Sequence, residues 1–291
     1  MGRPRICIVG NLTIDVLPSG ERVPGGPPIY AGLAAKVSGC DVVAVSSVGF
    51  DYPPEYLEML RGWGFETVLH WAETPSSSFA FSYVGGVKHV TLVSRGPPIP
   101  THLLKEIEGD MVVYSPVASE LAPQQLTQPV EKRCLDLQGF VRRADEKGRI
   151  TLSQVSDFTV FKARIVHASA EEALSATATN NIFRAAEVMA GYGTEEVLIG
   201  LPDGVFYRSK DWGAFYGPVS RESAAERVGA GDILTGAFAS CLVRGVQGKM
   251  ALAETIYILE ELLSTPYLHT GTITIDQNRV AWLMRQIIAL D

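Results

Sequence analysis

The sequence predicts an α/β protein with a doubly wound, mostly parallel β-sheet flanked by helices, and a small β-sheet that projects from this core. Short continuous apolar runs such as Ile6–Val9 and Met111–Tyr114 are typical of strands buried on both faces. Segments with the apolar spacing of helices separate many of these runs, as in proteins built from β–α–β units. Between about residues 66 and 94, three β-like segments follow one another without helices and predict the projecting sheet.

Composition and charge narrow the classes of function. The 291 residues are 46% hydrophobic and 20% charged, as in a globular protein, and we expect a single domain over residues 1–291. The net charge of −7 argues against nucleic acid as a partner. The four cysteines lie far apart and match neither a zinc site nor a disulfide framework. The first apolar run is too short for a signal peptide or a membrane span, so we expect a cytoplasmic protein without a membrane partner.

The N-terminal region places polar residues at the end of a strand. The strand Ile6–Val9 is followed by the segment Gly10–Asp15, at the edge of the sheet where open α/β proteins bind ligands. The pair Gly25-Gly26 precedes a helix with proline in its first turn, and Asp41–Val48 is a second buried strand. Asp15 is either a ligand-binding carboxylate or an ordinary solvated or capping residue. Gly25-Gly26 is either a simple turn or a place where the backbone approaches a hydroxylated ligand.

The consecutive β-like segments predict a lid. Its strands are expected at Thr67–Trp71, Ser77–Val84 and His89–Val93, with Gly85-Gly86 in the last turn. Aromatic and small residues alternate along the second segment, which is typical of a sheet with one covered face. Together with a strand within residues 20–25, we expect these segments to cover the ligand, to provide the surface of a homodimer, or to do both.

After about residue 100 the alternation of strands and helices returns. The predicted strands are Met111–Tyr114, Arg133–Leu137, Ile165–Ala168, Glu196–Ile199, Gly204–Arg208 and Trp212–Tyr216. The predicted helices are Asn181–Tyr192, one that begins near Ala230, Lys249–Leu263, and a last one that ends near Ala289. His167, at the end of a buried strand, is interpreted as a core histidine.

The most informative stretch is the beginning of the helix near Ala230, which has the sequence Val228-Gly229-Ala230-Gly231-Asp232. The first N–H groups of a helix have no intrahelical partner and lie at the positive end of its dipole, so they suit an anion. The two glycines let the backbone turn tightly and approach a ligand closely. Asp232 either complements the helix dipole, as any acid in a first turn does, or takes part in chemistry on the bound anion.

Several polar segments follow the predicted strands, which makes one shared crevice plausible at the carboxyl ends of the sheet. Phosphoryl transfer requires a cradle for phosphate, a divalent cation and a base for the attacking hydroxyl. The amides of Gly229–Gly231 could form the cradle, and Asp232 could accept the hydroxyl proton. Glu172 could help to hold a cation through water, although an acid at that position also suits the first turn of a helix. The pattern G-x-x-x-x-G-K-[ST] of P-loop enzymes is absent from the sequence.

These motifs, in this order, resemble the ribokinase family of small-molecule kinases, also called the PfkB carbohydrate kinases. The matching segments are Gly10–Asp15, Gly25-Gly26, the β lid, Asp136–Arg142, Ser169–Glu172 and the most specific one, Gly229–Asp232. The resemblance implies a ribokinase-like fold and phosphorylation, by ATP with Mg²⁺, of a hydroxyl on a sugar, cyclitol or nucleoside. It also implies that Asp232 is the general base and that Gly229, Ala230 and Gly231 form the anion hole.

The resemblance assigns further residues to the two substrates. The acceptor-binding residues that it implies are Asn11, Asp15, Gly25, Gly26, Gln138 and Arg142. The donor-binding residues that it implies are Ser169, Glu172, Gly200, Gly204 and Arg227, with Glu172 near Mg²⁺. Because ribokinase itself usually has Asn in place of Gln138, this segment looks more like the inositol-kinase-like branch.

The sequence departs from the family pattern at the donor end. Glu226-Arg227 stands where the family usually has Asp-Thr, and Ser169 stands where it usually has Asn. The usual T-x-G-x-x-G is reduced to the segment Gly200–Gly204. These departures concern nucleotide affinity and the identity of the donor. Two alternatives to a sugar or cyclitol kinase therefore stay open, a nucleoside kinase and a non-catalytic sugar- or nucleotide-binding sensor on the kinase fold.

Overall fold

The computed structural model describes residues 2–85, 87–105, 107–220, 228–264 and 273–290. The strands, in chain order, are β1 (Arg5–Val9), β2 (Thr13–Val16), β3 (Arg22–Gly25), β4 (Asp41–Gly49), β5 (Glu66–Ala72), β6 (Ser77–Val84), β7 (Val87–Ser94), β8 (Met111–Tyr114), β9 (Arg133–Asp136), β10 (Arg142–Ala144), β11 (Ile150–Leu152), β12 (Ile165–Ser169), β13 (Glu196–Leu201), β14 (Gly204–Ser209), β15 (Gly213–Pro218) and β16 (Ile288–Leu290). The helices are α1 (Pro27–Val37), α2 (Pro54–Gly62), α3 (Thr101–Lys105), α4 (Gln138–Val141), α5 (Ala170–Thr177), α6 (Ile182–Gly191), α7 (Ala230–Val243), α8 (Gly248–Ser264) and α9 (Gln277–Gln286).

Ten strands form the central sheet, in the order β16-β15-β14-β13-β12-β9-β8-β1-β4-β5. Neighbouring strands pair in parallel throughout the part β13-β12-β9-β8-β1-β4-β5 of this sheet. Strands β14, β15 and β16 are antiparallel additions at one edge. The chain runs outward from β1 to β4 and β5 and then returns to β8 on the other side of β1. This reversal makes the space beyond β1 and β8 a topological switch point, where sheets of this kind bind ligands.

The two faces of the central sheet are covered by separate hydrophobic cores. Ile6 and Ile8 of β1 belong to one core, and Cys7 and Val9 belong to the other, because successive side chains of a strand point to opposite faces. Buried side chains of α1, α7 and α8 join the first core, and those of α5 and α6 join the second. The predicted doubly wound α/β core is therefore confirmed.

Helices α1 and α7 make a close contact that fixes the two ends of the site relative to each other. A Cβ atom placed on Gly236 of α7 would lie only 2.2 Å from the carbonyl oxygen of Ala31 in α1. Only glycine lets the two backbones approach so closely. As a result, the first turn of α1, which follows Gly26, stays beside the first turn of α7, which follows Gly229.

The second sheet has the order β3-β2-β6-β7 and is the predicted lid. Strand β2 begins directly after residues 10–12, pairs antiparallel with β3 and pairs in parallel with β6. Strands β6 and β7 form an antiparallel hairpin. The lid therefore grows from the carboxyl end of β1 and covers the switch point.

Three segments differ from the predictions. Residues 66–72 were expected in the lid, but β5 pairs in parallel with β4 at the edge of the central sheet, because helix α2 precedes it and completes a β–α–β unit. Residues 13–16 were expected in a loop, but they form lid strand β2. The last helix ends at Gln286, and the residues that follow pair with β15 as strand β16. Within the described ranges, no helix is long and apolar enough to cross a membrane.

Candidate active site

A cavity of about 250 Å³ lies at the switch point, between the lid and the first turns of several helices. The lid contributes Thr13, Asp15 and three apolar side chains to its wall, and the core contributes most of the charged groups. The lining residues are Thr13, Asp15, Gly26, Tyr30, Phe79, Phe81, Val90, Val117, Asp136, Gln138, Arg142, His167, Ser169, Glu172, Val228, Gly229, Ala230, Gly231 and Asp232. Most of the residues predicted for the site therefore meet in one place.

Helix α7 opens into this cavity through its first turn. Its N-cap residue, Gly229, has φ 86°, a left-handed conformation that favours glycine. A Cβ atom on Gly229 would lie 2.3 Å from Cγ of the Tyr30 ring, so the loop rests directly on α1. Because the first N–H groups of α7 lack intrahelical partners, this loop can bind an anion, as predicted.

Asp232 lies in the first turn of α7 and is held by side chains from the neighbouring strand ends. Its Oδ1 accepts a hydrogen bond of 2.9 Å from Nε2 of Gln138, and the hydroxyl of Ser115 lies 3.4 Å away. Burial is the main cause that raises the pKa of Asp232 to about 8, and the negative charge of Asp136 acts in the same direction. A carboxylate with a pKa near the working pH is suited to accept a proton from a hydroxyl.

Asp15 stands on the opposite wall, on lid strand β2. It is 3% exposed, and its Oδ1 accepts a hydrogen bond of 2.7 Å from the hydroxyl of Thr13. Burial raises the pKa of Asp15 to about 7. The glycine pair packs against it, since a Cβ atom on Gly25 would lie 2.2 Å from Oδ2 of Asp15, and Gly26 has φ 90°. Asp15 and Gly26 thus line the cavity, and Gly25 packs against Asp15.

Asn11 has a different role from the predicted one. It is fully buried, and its Nδ2 donates to Oγ of Ser77 and to the carbonyl oxygen of Pro97, at 3.2 and 2.9 Å. Its Oδ1 accepts a hydrogen bond of 3.2 Å from the backbone N–H of Ser47. The carboxamide therefore joins the end of β1 to the lid and to β4. Asn11 is not among the residues that line the cavity, and its hydrogen bonds hold the parts of the site together.

Glu172 is engaged by protein groups on both of its oxygens. Its Oε1 accepts hydrogen bonds from Nε and Nη2 of Arg142, at 2.9 and 2.7 Å, and its Oε2 accepts one of 2.9 Å from the backbone N–H of Ser169. The hydroxyl of Ser169 in turn accepts from the N–H of Glu172, which completes a capping box at the start of α5. Glu172 is thus the counter-ion of Arg142 and a helix cap.

This arrangement does not favour Glu172 as a direct ligand of Mg²⁺, and the predicted contact through water stays a prediction. Its negative charge is balanced by Arg142, and its oxygens already accept three hydrogen bonds. Among the residues that the structure describes, no group of three acidic, histidine or cysteine side chains could hold a metal ion.

A second cavity, of about 180 Å³, adjoins the first. The two cavities share the side chains or backbone of His167, Ser169, Ala230 and Gly231. Gly200 and Gly204, predicted at the donor site, line the second cavity together with apolar residues such as Leu201 and Leu259. Arg227, which was also predicted there, lies outside the described residues, as does Glu226.

His167 was interpreted as a core histidine, but it lines both cavities. Its Nδ1 lies 3.3 Å from Oδ2 of Asp136. Burial alone would raise the pKa of Asp136, but His167 overrides that effect and lowers it. The sequence did hold a signal for this position. His167 lies two residues before Ser169 on the same strand, so both side chains point to the same face.

The fold matches known kinases. No family model matches the chain. A cytidine kinase from Thermococcus kodakarensis is 25% identical over 259 residues, which are 82% of this chain and 89% of that protein. A pyrophosphate-dependent kinase in the ribokinase family has a TM-score of 0.79 with 20% identity, over 90% of this chain and 96% of that one.

Two further solved structures extend the comparison. A pyrophosphate-dependent kinase in the ribokinase family, complexed with a pyrophosphate analog and myo-inositol, has a TM-score of 0.76 with 18% identity, over 88% and 94% of the two chains. Ribokinase from Arabidopsis thaliana, complexed with ribose and ATP, has a TM-score of 0.70 with 15% identity, over 98% and 99%. The chain therefore has the ribokinase-like fold, and the predicted resemblance is confirmed at the level of the fold.

Proposed function

We propose that the chain is a ribokinase-type kinase that transfers a phosphoryl group to a hydroxyl of a small polyol, namely a sugar, a cyclitol or a nucleoside. One observation carries this proposal. Asp232, whose pKa is raised to about 8, stands at the anion-binding start of α7 and faces a cavity whose opposite wall holds Asp15. A base and an anion site side by side are two of the groups that phosphoryl transfer to a hydroxyl requires, and the carboxylate of Asp15 can bind acceptor hydroxyls in the same cavity.

Each of these groups has a defined task in the transfer. Asp15, in its ionised form, accepts hydrogen bonds from acceptor hydroxyls and aligns the reacting one with Asp232. Asp232 takes the proton of that hydroxyl as the hydroxyl oxygen attacks the terminal phosphorus of the donor, and the bond from that phosphorus to the leaving ADP or orthophosphate breaks. The amides of Gly229–Gly231 donate hydrogen bonds to the oxygens of the transferred phosphoryl group. The Arg142 guanidinium lines the same cavity, where it is paired with Glu172.

The donor is either ATP or pyrophosphate. ATP follows from the family resemblance, and ribose and ATP are the ligands of the Arabidopsis ribokinase structure. Pyrophosphate is supported by two similar solved structures of pyrophosphate-dependent kinases in the ribokinase family. Both donors present a terminal phosphate, so the same first turn of α7 serves either one.

A matrix of donors and acceptors tests the proposed function. The purified full chain is incubated with ribose, myo-inositol or cytidine, each with ATP or pyrophosphate, and with and without Mg²⁺. We expect phosphorylated acceptor, measured by mass spectrometry, in at least one combination and none when either substrate is omitted. Tight binding of a donor or acceptor without product in any combination would favour the alternative of a non-catalytic sensor.

Replacing Asp15 by Asn is expected to raise the KM of the acceptor by roughly 10- to 100-fold, because a hydrogen bond to a charged group contributes about 1.5–3 kcal/mol. The KM of the donor should stay within about twofold, since Asp15 stands on the lid wall away from α7. Steady-state kinetics on the best pair from the matrix measures both constants. Asp211→Asn, in the exposed turn between β14 and β15, is the control and should change neither. Equal effects on both constants would contradict the assignment of Asp15 to the acceptor.

A further inference from the structure

His167 is a buried polar side chain of the site for which the proposed chemistry gives no task. It is 2% exposed, and neither ring nitrogen has a hydrogen bond of good geometry to another described residue. Its Nδ1 is nevertheless 3.3 Å from Oδ2 of Asp136, which orients the ring. A buried N–H group without a hydrogen-bond partner is unfavourable by about 1–3 kcal/mol, so a ring in this position suits a ligand that accepts a hydrogen bond from it.

The ring lies at the junction of the two cavities. A Cβ atom on Gly231 would lie 3.1 Å from Cε1 of His167, so the ring packs directly beneath the first turn of α7. A Cβ atom on Gly200 would lie 3.7 Å from Nε2, on the side of the second cavity. Any anion held by the amides of Gly229–Gly231 is therefore a close neighbour of this imidazole.

The charges around His167 favour its cationic form. Burial alone would lower the pKa of His167, but Asp136 on β9 overrides this effect and raises it, and Glu172 on α5 and Asp232 on α7 act in the same direction. Arg142 faces the same groups and already pairs with Glu172. Asp136 is therefore the carboxylate that is left to balance an imidazolium at position 167.

We propose that His167 binds the terminal phosphate of the donor, with Nε2–H donating to a phosphate oxygen held at the Gly229–Gly231 amides and with Asp136 orienting the ring through Nδ1. This inference rests on the proposed function and adds a donor-binding residue to it. It also accounts for the position of the ring, because a donor that extends from the second cavity must bring its phosphates past His167 to reach Asp232. His167 thereby adds a hydrogen-bond donor for the phosphate to the Gly229–Gly231 amides.

Binding measurements without acceptor test this role separately from catalysis. The affinities of the full chain for inorganic pyrophosphate and for ATP are measured by calorimetry, for the wild type, His167→Gln and His102→Gln. His102 lies exposed on α3 and serves as the matched control. We expect the His167→Gln dissociation constant to be roughly 10- to 100-fold higher for the phosphate probe that the wild type binds, and His102→Gln to be unchanged.

Steady-state kinetics adds a readout that a purely structural role would not change. In His167→Gln the KM of the donor should rise while the KM of the acceptor stays constant. If His167→Gln does not fold, as judged by circular dichroism, the smaller His167→Asn takes its place. An unchanged dissociation constant in a folded variant, or a wild type that binds neither probe, would overturn the proposal. If His167 controls binding of a phosphate probe but no acceptor is phosphorylated, the proposed function fails and this site stands.

Discussion

Replacing Asp232 by asparagine is expected to lower the rate of phosphoryl transfer by roughly 10²–10⁴-fold, the usual contribution of a general base. Asparagine keeps the shape of the side chain and can still accept the hydrogen bond that Gln138 donates to Oδ1. It cannot take a proton from the acceptor hydroxyl. The KM values of both substrates should therefore change little, and kcat on the best pair of substrates is the measurement.

The pH dependence of kcat gives the same prediction an internal check. Since Asp232 acts when it is deprotonated and its pKa is raised to about 8, wild-type kcat should rise with pH up to about that value and then level off. Asp232→Asn should lack this rise. Glu171→Gln removes an exposed acid from the first turn of α5 and is the control. It shows how much kcat changes when only the interaction of an acid with a helix dipole is lost. If kcat of Asp232→Asn equals that of the wild type, Asp232 only complements its helix.

Replacing Gly229 by alanine is expected to lower kcat by roughly 10²–10³-fold, comparable to the loss of one donor from an anion hole. The new Cβ would lie 2.3 Å from Cγ of Tyr30, which is the ring atom nearest the backbone and cannot move aside easily. The residue would also have to keep φ near 86°, which is unfavourable for alanine. The loop must therefore shift, and its amides move away from the phosphoryl oxygens. Steady-state kinetics with circular dichroism separates this loss from unfolding.

The same helix offers a matched control for that substitution. Gly245 follows the C-terminal end of α7 with φ 80°, and a Cβ atom there would meet nothing within 4 Å. Gly245→Ala therefore carries the backbone strain of the left-handed conformation, about 1–2 kcal/mol, without a steric clash. Its melting temperature should fall slightly while kcat stays unchanged. A comparable loss of kcat in both variants would show that backbone strain alone, and not the position of the anion hole, explains the result.

The sequence predicted the parts of the site that local physics determines. A helix start with glycines and an acid, and polar residues directly after buried strands, define Gly229–Asp232 and Asp15 without knowledge of distant contacts. The residues whose surroundings differ from the prediction depend on contacts between segments that are remote in the sequence. Glu172 is paired with Arg142, and Asn11 is bonded to the lid, because the fold brings these segments together. Likewise, residues 66–72 belong to the central sheet because they pair with β4, a contact that the local sequence does not reveal.

The hairpin of β6 and β7 has a consequence for how such a protein can change over evolution. Through Phe79, Phe81 and Val90 the hairpin gives the cavity apolar surface, whereas Asp15, Asp232 and the anion-binding amides belong to other elements. The junction beneath it is fixed by the side chain of Asn11. Mutations in one surface hairpin can therefore reshape the apolar wall of the pocket while the charged groups keep their positions.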